Sequence, residues 1–150
     1  MTFRKAVGND AGVIWQWLTQ DSDGYRNHFS GFPDSVEEIK RQLEAVNKDQ
    51  YWVVESGGAH AGILMARGMD AGFVIPAFGV YIAEAFAGKG LGTRALEYVV
   101  QWARDTRKPA IMLTVADENE RARHIYEKFG FRFKGERSEK GQRIYRLELK

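Results

Sequence analysis

The chain has no cysteine and only three prolines. Without a thiol there can be no disulfide framework, thiolate nucleophile or thiolate metal site, so covalent chemistry must come from another group or from the substrate itself. No window approaches the roughly 20 consecutive apolar residues of a membrane span, and the opening MTFRKAV lacks the apolar core of a signal peptide. No membrane partner is expected, and a cytoplasmic location is the default. An excess of one charge is missing too: 22 Lys and Arg stand against 20 Asp and Glu, a net +2 that is too even to drive nucleic-acid binding. His28, His60 and His124 show no metal-ligand spacing, and no metal is expected. Repeats, low-complexity tracts and linkers are absent. What is present is 150 residues, 44% hydrophobic and 28% charged, enough for one domain over 1–150 with a substantial core.

Strand and helix patterns alternate along it. Phe3 to Val7 reads as a strand. After the cap signals Asn9 and Asp10, the spacing of Val13, Ile14, Trp17 and Leu18 predicts a first helix. DSDGYRNHFSGFPD breaks the period; Ser35 and Glu38 then form a capping box ahead of Val36, Ile39, Leu43 and Val46, a second helix. Tyr51 to Glu55, Gly62 to Arg67 and a run from about Phe73 to Ile82 read as an antiparallel meander, the first two joined through Ser56-Gly57-Gly58. Ala95, Leu96, Val99, Val100 and Ala103 share a face of a helix running from Leu91 to Lys108, where Pro109 ends it. Ile111 to Val115 is too uniformly apolar for a half-exposed strand and reads as buried and central. With the strand ending at Ile82 it closes a βαβ unit, a right-handed crossover between parallel strands. A last helix carries Ala122, Ile125, Tyr126 and Phe129, stops at Gly130, and leads into Phe131 to Lys134 and the alternating Tyr145, Leu147 and Leu149. The order βααβββαβαββ gives an α/β (α+β) domain: a mixed, mostly antiparallel seven-stranded sheet flanked by four helices.

The stretch FAGKGLGT, Phe86 to Thr93, lies between a strand and a helix start. Unpaired N–H groups and the positive dipole end favour an anion there, and glycine lets it approach the main chain. A phosphate is the natural ligand. The P-loop pattern fails because Lys89 precedes Gly90 rather than Ser or Thr, and the dinucleotide pattern fails because Gly88, Gly90 and Gly92 are spaced two and two. The plain structural alternative is a tight turn.

Ala87-Gly88-Lys89-Gly90-Leu91-Gly92 resembles the signature of the GNAT superfamily of acyl-CoA-dependent N-acyltransferases, with Ala87 where an Arg or Gln is expected. The second signature of that family matches Asn119 through Tyr126 to Gly130-Phe131, and the element order extends the resemblance over nearly the whole chain. The resemblance implies acetyl-CoA as co-substrate and a strand that bulges and splays from its parallel neighbour. In the cleft so opened, pantetheine would pair with the main chain of Val80 and Ile82. The pyrophosphate would lie on the amides of Gly88, Lys89, Gly90, Leu91, Gly92 and Thr93, with Ala87 beside them and Asn119 orienting the cofactor. An N–H near Ile82 would stabilise the oxyanion.

An acceptor amine would attack the thioester directly, so no enzyme nucleophile is required. Tyr126 is the candidate general acid for the leaving thiolate; otherwise it is a core aromatic. Asn119 can equally be an N-cap. The base is the least determined residue: Glu84 is chosen by position, with Asp70 and Asp117 as alternatives and Tyr81 acting through water. Arg94, Arg121 and Arg123 read as a solvated helix face. Tyr25, Arg26, His28, Phe29 and Phe32 stand in an aperiodic segment suited to acceptor recognition, or they anchor an ordered loop. The expected acceptor is a small-molecule amine. A protein or peptide amine and a non-catalytic acyl-CoA-binding module are the alternatives, and a homodimer is compatible with the resemblance.

Overall fold

Trp52 and Val54 face one side of the strand Gln50–Ser56, Tyr51 and Val53 the other, and all four are buried. A strand apolar at successive positions needs cover on both faces. The sheet therefore lies between two helical layers. This computed structural model describes residues 1–26, 29 and 31–149. In chain order the elements are β1 (Thr2–Lys5), α1 (Ala11–Gln20), α2 (Asp23–Arg26), α3 (Val36–Glu44), β2 (Gln50–Ser56), β3 (Ala59–Arg67), β4 (Ala77–Ile82), α4 (Leu91–Asp105), β5 (Ala110–Val115), α5 (Glu120–Phe129), β6 (Arg132–Arg137) and β7 (Arg143–Glu148). One core cluster joins Ile14 and Trp17 of α1 and Ile39 and Leu43 of α3 to Val53, Ile63 and Met65. The other joins α4 and α5 to Val54, Leu64, Ile111 and Leu113. Leu96, Val99 and Val100 of α4 are almost wholly buried, each contributing about 1.5–3 kcal/mol of burial.

The local signals explain most boundaries. Ser35 caps α3 by accepting from Glu38 N at 3.1 Å, and its hydroxyl donates to the Glu38 carboxylate, also at 3.1 Å. Gly57 and Gly58 both take positive φ, +59° and +81°, as a two-residue hairpin turn requires. Gly130, at φ +117°, ends α5.

Four expectations are corrected. The third strand of the meander begins at Ala77, not Phe73: Ala71, Gly72 and Phe73 donate back to Met69 or Gly68 in a turn, and Phe73 and Val74 are exposed. Among the described residues five α-helices are present rather than four, because Asp23–Arg26 closes a single turn between α1 and α3. Val46 lies beyond α3 and is exposed. Finally, β4 splays without bulging. Its register on β3 runs unbroken from Arg67↔Ala77 to Gly62↔Ile82.

The sheet order is β1-β2-β3-β4-β5-β7-β6. Its parallel pair, β4 with β5, is connected through α4 and holds at a single registered pair, Ala77↔Met112, with Met112 N donating to Pro76 O at 3.0 Å. On its other edge β5 pairs with β7 all the way from Ala110 to Val115. The sheet is thus parted between β4 and β5 toward their C-terminal ends.

Candidate active site

Hydrogen-bond alternation decides which main-chain groups face the gap. Ala83 N donates to Ala61 O at 2.8 Å, so on β4 the odd residues Tyr81 and Gly79 engage β3. The even residues, Val80 and Ile82, turn their N–H and C=O toward the vacant side. Pro76 O, of the same parity, is the group that β5 uses. Ile82 O accepts the Tyr25 hydroxyl, which fixes the α2 turn across the gap.

Past β4 the chain makes a short 3-10 turn, Glu84–Phe86, and reaches the glycines. Gly88 and Gly90 both take φ +77°, and Gly90 is the N-cap of α4. No side-chain hydrogen bond caps that start, so its first-turn amides face outward over Cβ-free backbone. Ala87, Gly88, Gly90, Leu91, Gly92 and Thr93 border a hollow of about 290 Å³ together with Ile125, Ala122 and Tyr126. Lys89 is exposed, its Nζ 5.4 Å from the centre of the Phe86 ring. Arg121, expected on a solvated face, borders the hollow, whereas Arg123 donates to Asp117 O at 2.9 Å and Arg94 reaches the Met1 sulfur.

A second hollow, of about 370 Å³, runs into the gap: Met65, Gly79 and Tyr81 form its wall on the side covered by α1 and α3, and Phe78, Leu113 and Val115 on the side of α4 and α5. Phe29, Thr114, Asn119 and Gln142 also line it. Tyr25, Val80, Ile82, Ala122 and Tyr126 border both hollows, which therefore meet at the gap in the sheet. Desolvation pushes the Tyr126 phenol up to about 12, so it carries its proton at neutral pH. Asn119 caps α5 through its side chain, accepting from Ala122 N at 3.4 Å, and still lines the cleft.

The carboxylates considered as bases are placed elsewhere. Glu84 lines neither hollow; its oxygens accept from Ser22 N at 2.7 Å and from the Ser22 hydroxyl, bonds that hold it below the usual carboxylate range. Asp70 accepts from the backbone N–H groups of Asn47, Lys48 and Asp49, and Asp117 pairs with Arg143 and Arg137. Arg26 is engaged by Leu18 O, Asp21 O and the Asp23 carboxylate, and does not reach the wall. Phe32 packs against the Tyr51 ring, and His28 lies outside the described residues. Residues that the sequence reading did not single out also face the cleft: Arg67, Thr114 and Gln142, with Asp21 behind Tyr81. Only Arg67 had a local signal, as a charge ending the otherwise apolar run GILMAR.

A mixed sheet parted at its parallel pair, with a bare helix start at the edge of the gap, defines an acyltransferase-type α/β fold. The chain matches the acetyltransferase (GNAT) family over residues 14–131 and belongs to it. Acetyl-CoA is the acyl donor of that family. The spermidine N(1)-acetyltransferase of Escherichia coli K12 is 32% identical over 131 residues, 87% of this chain and 66% of that one. The spermine/spermidine N(1)-acetyltransferase of Bacillus subtilis is 34% identical over 70 residues, 46% of each chain. The matches thus span between about half and just under two thirds of these curated relatives. Among solved structures, spermidine N-acetyltransferase of Vibrio cholerae in complex with CoA and spermine shares the fold with a TM-score of 0.81 at 21% identity, over 99% of this chain and 94% of that one. The yncA protein of Salmonella typhimurium, solved with its cofactor acetyl-CoA, does so at 0.80 and 20%, over 100% and 94%. Among the described residues no helix is long and apolar enough to cross a membrane, and no group of three or more His, Asp or Glu could hold a metal.

Proposed function

We propose that the chain transfers an acetyl group from acetyl-CoA to a primary amine of a small-molecule acceptor. The observation that carries this reading is the meeting of two hollows in the parted sheet, one beside bare helix-start amides and one beside aromatic and polar side chains, with Tyr126 at their junction. The site fits the donor chemically. Amides of Gly88 to Thr93 can take a pyrophosphate at the positive end of the α4 dipole. The edge of β4 at Val80 and at Ile82 N, where Ile82 O already accepts from Tyr25, can pair with the amide groups of a pantetheine arm as an added strand would. That arm delivers the thioester to the junction.

There the acceptor nitrogen attacks the thioester carbonyl directly. The oxyanion lies against an N–H of the unpaired β4 edge near Ile82. As the C–S bond breaks, the Tyr126 hydroxyl donates its proton to the departing thiolate. The proton lost by the amine passes to water in the open cleft and restores the phenol. Glu84 follows β4 directly, but its bonds to Ser22 and its place outside the wall support solvent as the base instead. The relatives named for polyamines support a small amine as the acceptor.

Free-thiol release from acetyl-CoA with a panel of amines tests the reading, and coenzyme A binding without turnover of any amine would defeat it. Tyr126→Phe should lower kcat by about 10²–10⁴-fold, the usual contribution of general acid catalysis, while coenzyme A affinity stays near that of the wild type.

A further inference from the structure

Among the described residues Arg67 is the one charged residue in the wall of the 370 Å³ hollow, and no described Asp or Glu accompanies it there. The remaining polar side chains of that wall among the described residues, those of Tyr25, Tyr81, Thr114, Asn119, Tyr126 and Gln142, are neutral or carry their proton at pH 7. Arg67 ends β3 and is half-buried. Its Nη1 donates to Gly31 O at 2.9 Å, and among the described residues no carboxylate lies within ion-pair distance of it. The guanidinium carries five N–H donors in a fork suited to two carboxylate oxygens, and among the described residues Gly31 O is the one hydrogen-bond acceptor it meets. Asp70, three residues beyond Arg67, accepts from Asn47, Lys48 and Asp49 N, and the carboxylates at the far end of the β3–β4 pair are committed as well. Asp21 accepts from Tyr81 and from Glu84 N, and Glu84 is held by Ser22. Asn27, His28 and Ser30, flanking Phe29 in sequence, supply no carboxylate by residue type.

We propose that the acceptor amine carries a carboxylate, as an amino acid does, and that Arg67 binds that carboxylate. The proposal rests on the acetyl-transfer reading above and deepens it. A polycation entering this hollow would meet a fixed positive charge and no counter-charge in the wall. An amine bearing a carboxylate meets complementary charge at one end and the reaction centre at the other. Arg67 stands opposite Ala77, where β4 and β5 begin to part. Val80 follows three residues along, roughly 10 Å at strand spacing, and an arginine side chain leaning along the cleft closes much of that distance. Tyr25, Phe29, Met65 and Phe78 offer aromatic and thioether surface for an apolar amino-acid side chain.

Matched pairs test this: phenylalanine with phenethylamine, leucine with 3-methylbutylamine, and spermidine as the polycation, each assayed with acetyl-CoA by thiol release. The amino acid should exceed its decarboxylated partner in kcat/KM by roughly 10- to 100-fold, the range of a hydrogen bond to a charged group. Arg67→Gln should bring that ratio toward unity, chiefly through KM for the amino acid, and Arg67→Lys should retain part of it. Coenzyme A affinity reports that each variant is folded. Faster turnover of spermidine or of the decarboxylated amines, or a ratio unchanged in Arg67→Gln, overturns the proposal and leaves acetyl transfer standing. Turnover of no amine by a protein that binds coenzyme A removes both.

Discussion

Tyr81 donates its hydroxyl to Asp21 Oδ2 at 2.5 Å, tying the middle of the sheet to the end of α1 across 60 residues of chain. The same carboxylate oxygen accepts from Glu84 N at 3.0 Å, so one side chain sets the exit of β4 and the start of the acceptor-side segment together. Burial, followed by the bond to Asp21, holds the Tyr81 phenol far above its ordinary range. Tyr81→Phe should destabilise the fold by about 1–3 kcal/mol, seen as a melting temperature lower by several degrees. An unshifted melt would show that this link contributes nothing.

Alkaline pH should weaken the protein through its tyrosines. An unfolded tyrosine ionises near 10, whereas desolvation raises the Tyr126 phenol to about 12. Between those values the unfolded chain releases a proton that the folded one retains, so the contribution is complete below about pH 10 and is lost as pH rises toward 12. Two units at about 1.36 kcal/mol each give a loss on the order of 2–3 kcal/mol from this residue. Tyr25 and Tyr145, also raised by burial, act in the same direction. Urea midpoints at pH 9 and pH 11 measure the drop, and Tyr126→Phe should reduce it.

Two glycines of the α4 turn should respond oppositely to alanine. Gly90 has φ +77° with nothing within 4 Å of a built Cβ, so Gly90→Ala meets only backbone strain, about 1–2 kcal/mol. Gly92 has no positive φ and equally open surroundings, and it lies inside the helix. Gly92→Ala should raise stability by up to about 1 kcal/mol. Thermal melts of the two variants, compared without ligand, decide the matter.

Ala87 borders the donor hollow in extended geometry, φ −66° and ψ 153°, which any side chain tolerates, and it is exposed. Ala87→Arg places a cation beside the expected pyrophosphate. The coenzyme A dissociation constant should fall by about tenfold, the smaller end of a charge-assisted bond's effect. Calorimetry showing no gain would mean that the backbone amides already satisfy the anion.

The elements with a strong period are legible in the sequence: α4 buries the very stripe its spacing marks, and β5 turns Ile111, Leu113 and Val115 into the core it shares with α4. The glycine run also announced its place at a helix start. Phe73 and Val74 imitate the start of a strand although they are exposed, while the turn at Gly68 to Gly72 that delays β4 depends on two positive-φ glycines. Glu84 was chosen by proximity along the chain. Nothing local reveals that Ser22, 62 residues away, engages its carboxylate. Arg67 reaches the cleft through β3–β4 register, and Asp21 stands behind Tyr81 through the packing of α1, long-range relations that no window of sequence contains.

With donor and acceptor in the two hollows as proposed, the gap between β4 and β5 would give each its own opening. A newly made amide would then have a way out that coenzyme A does not block, so obstruction by itself would impose no order on product departure.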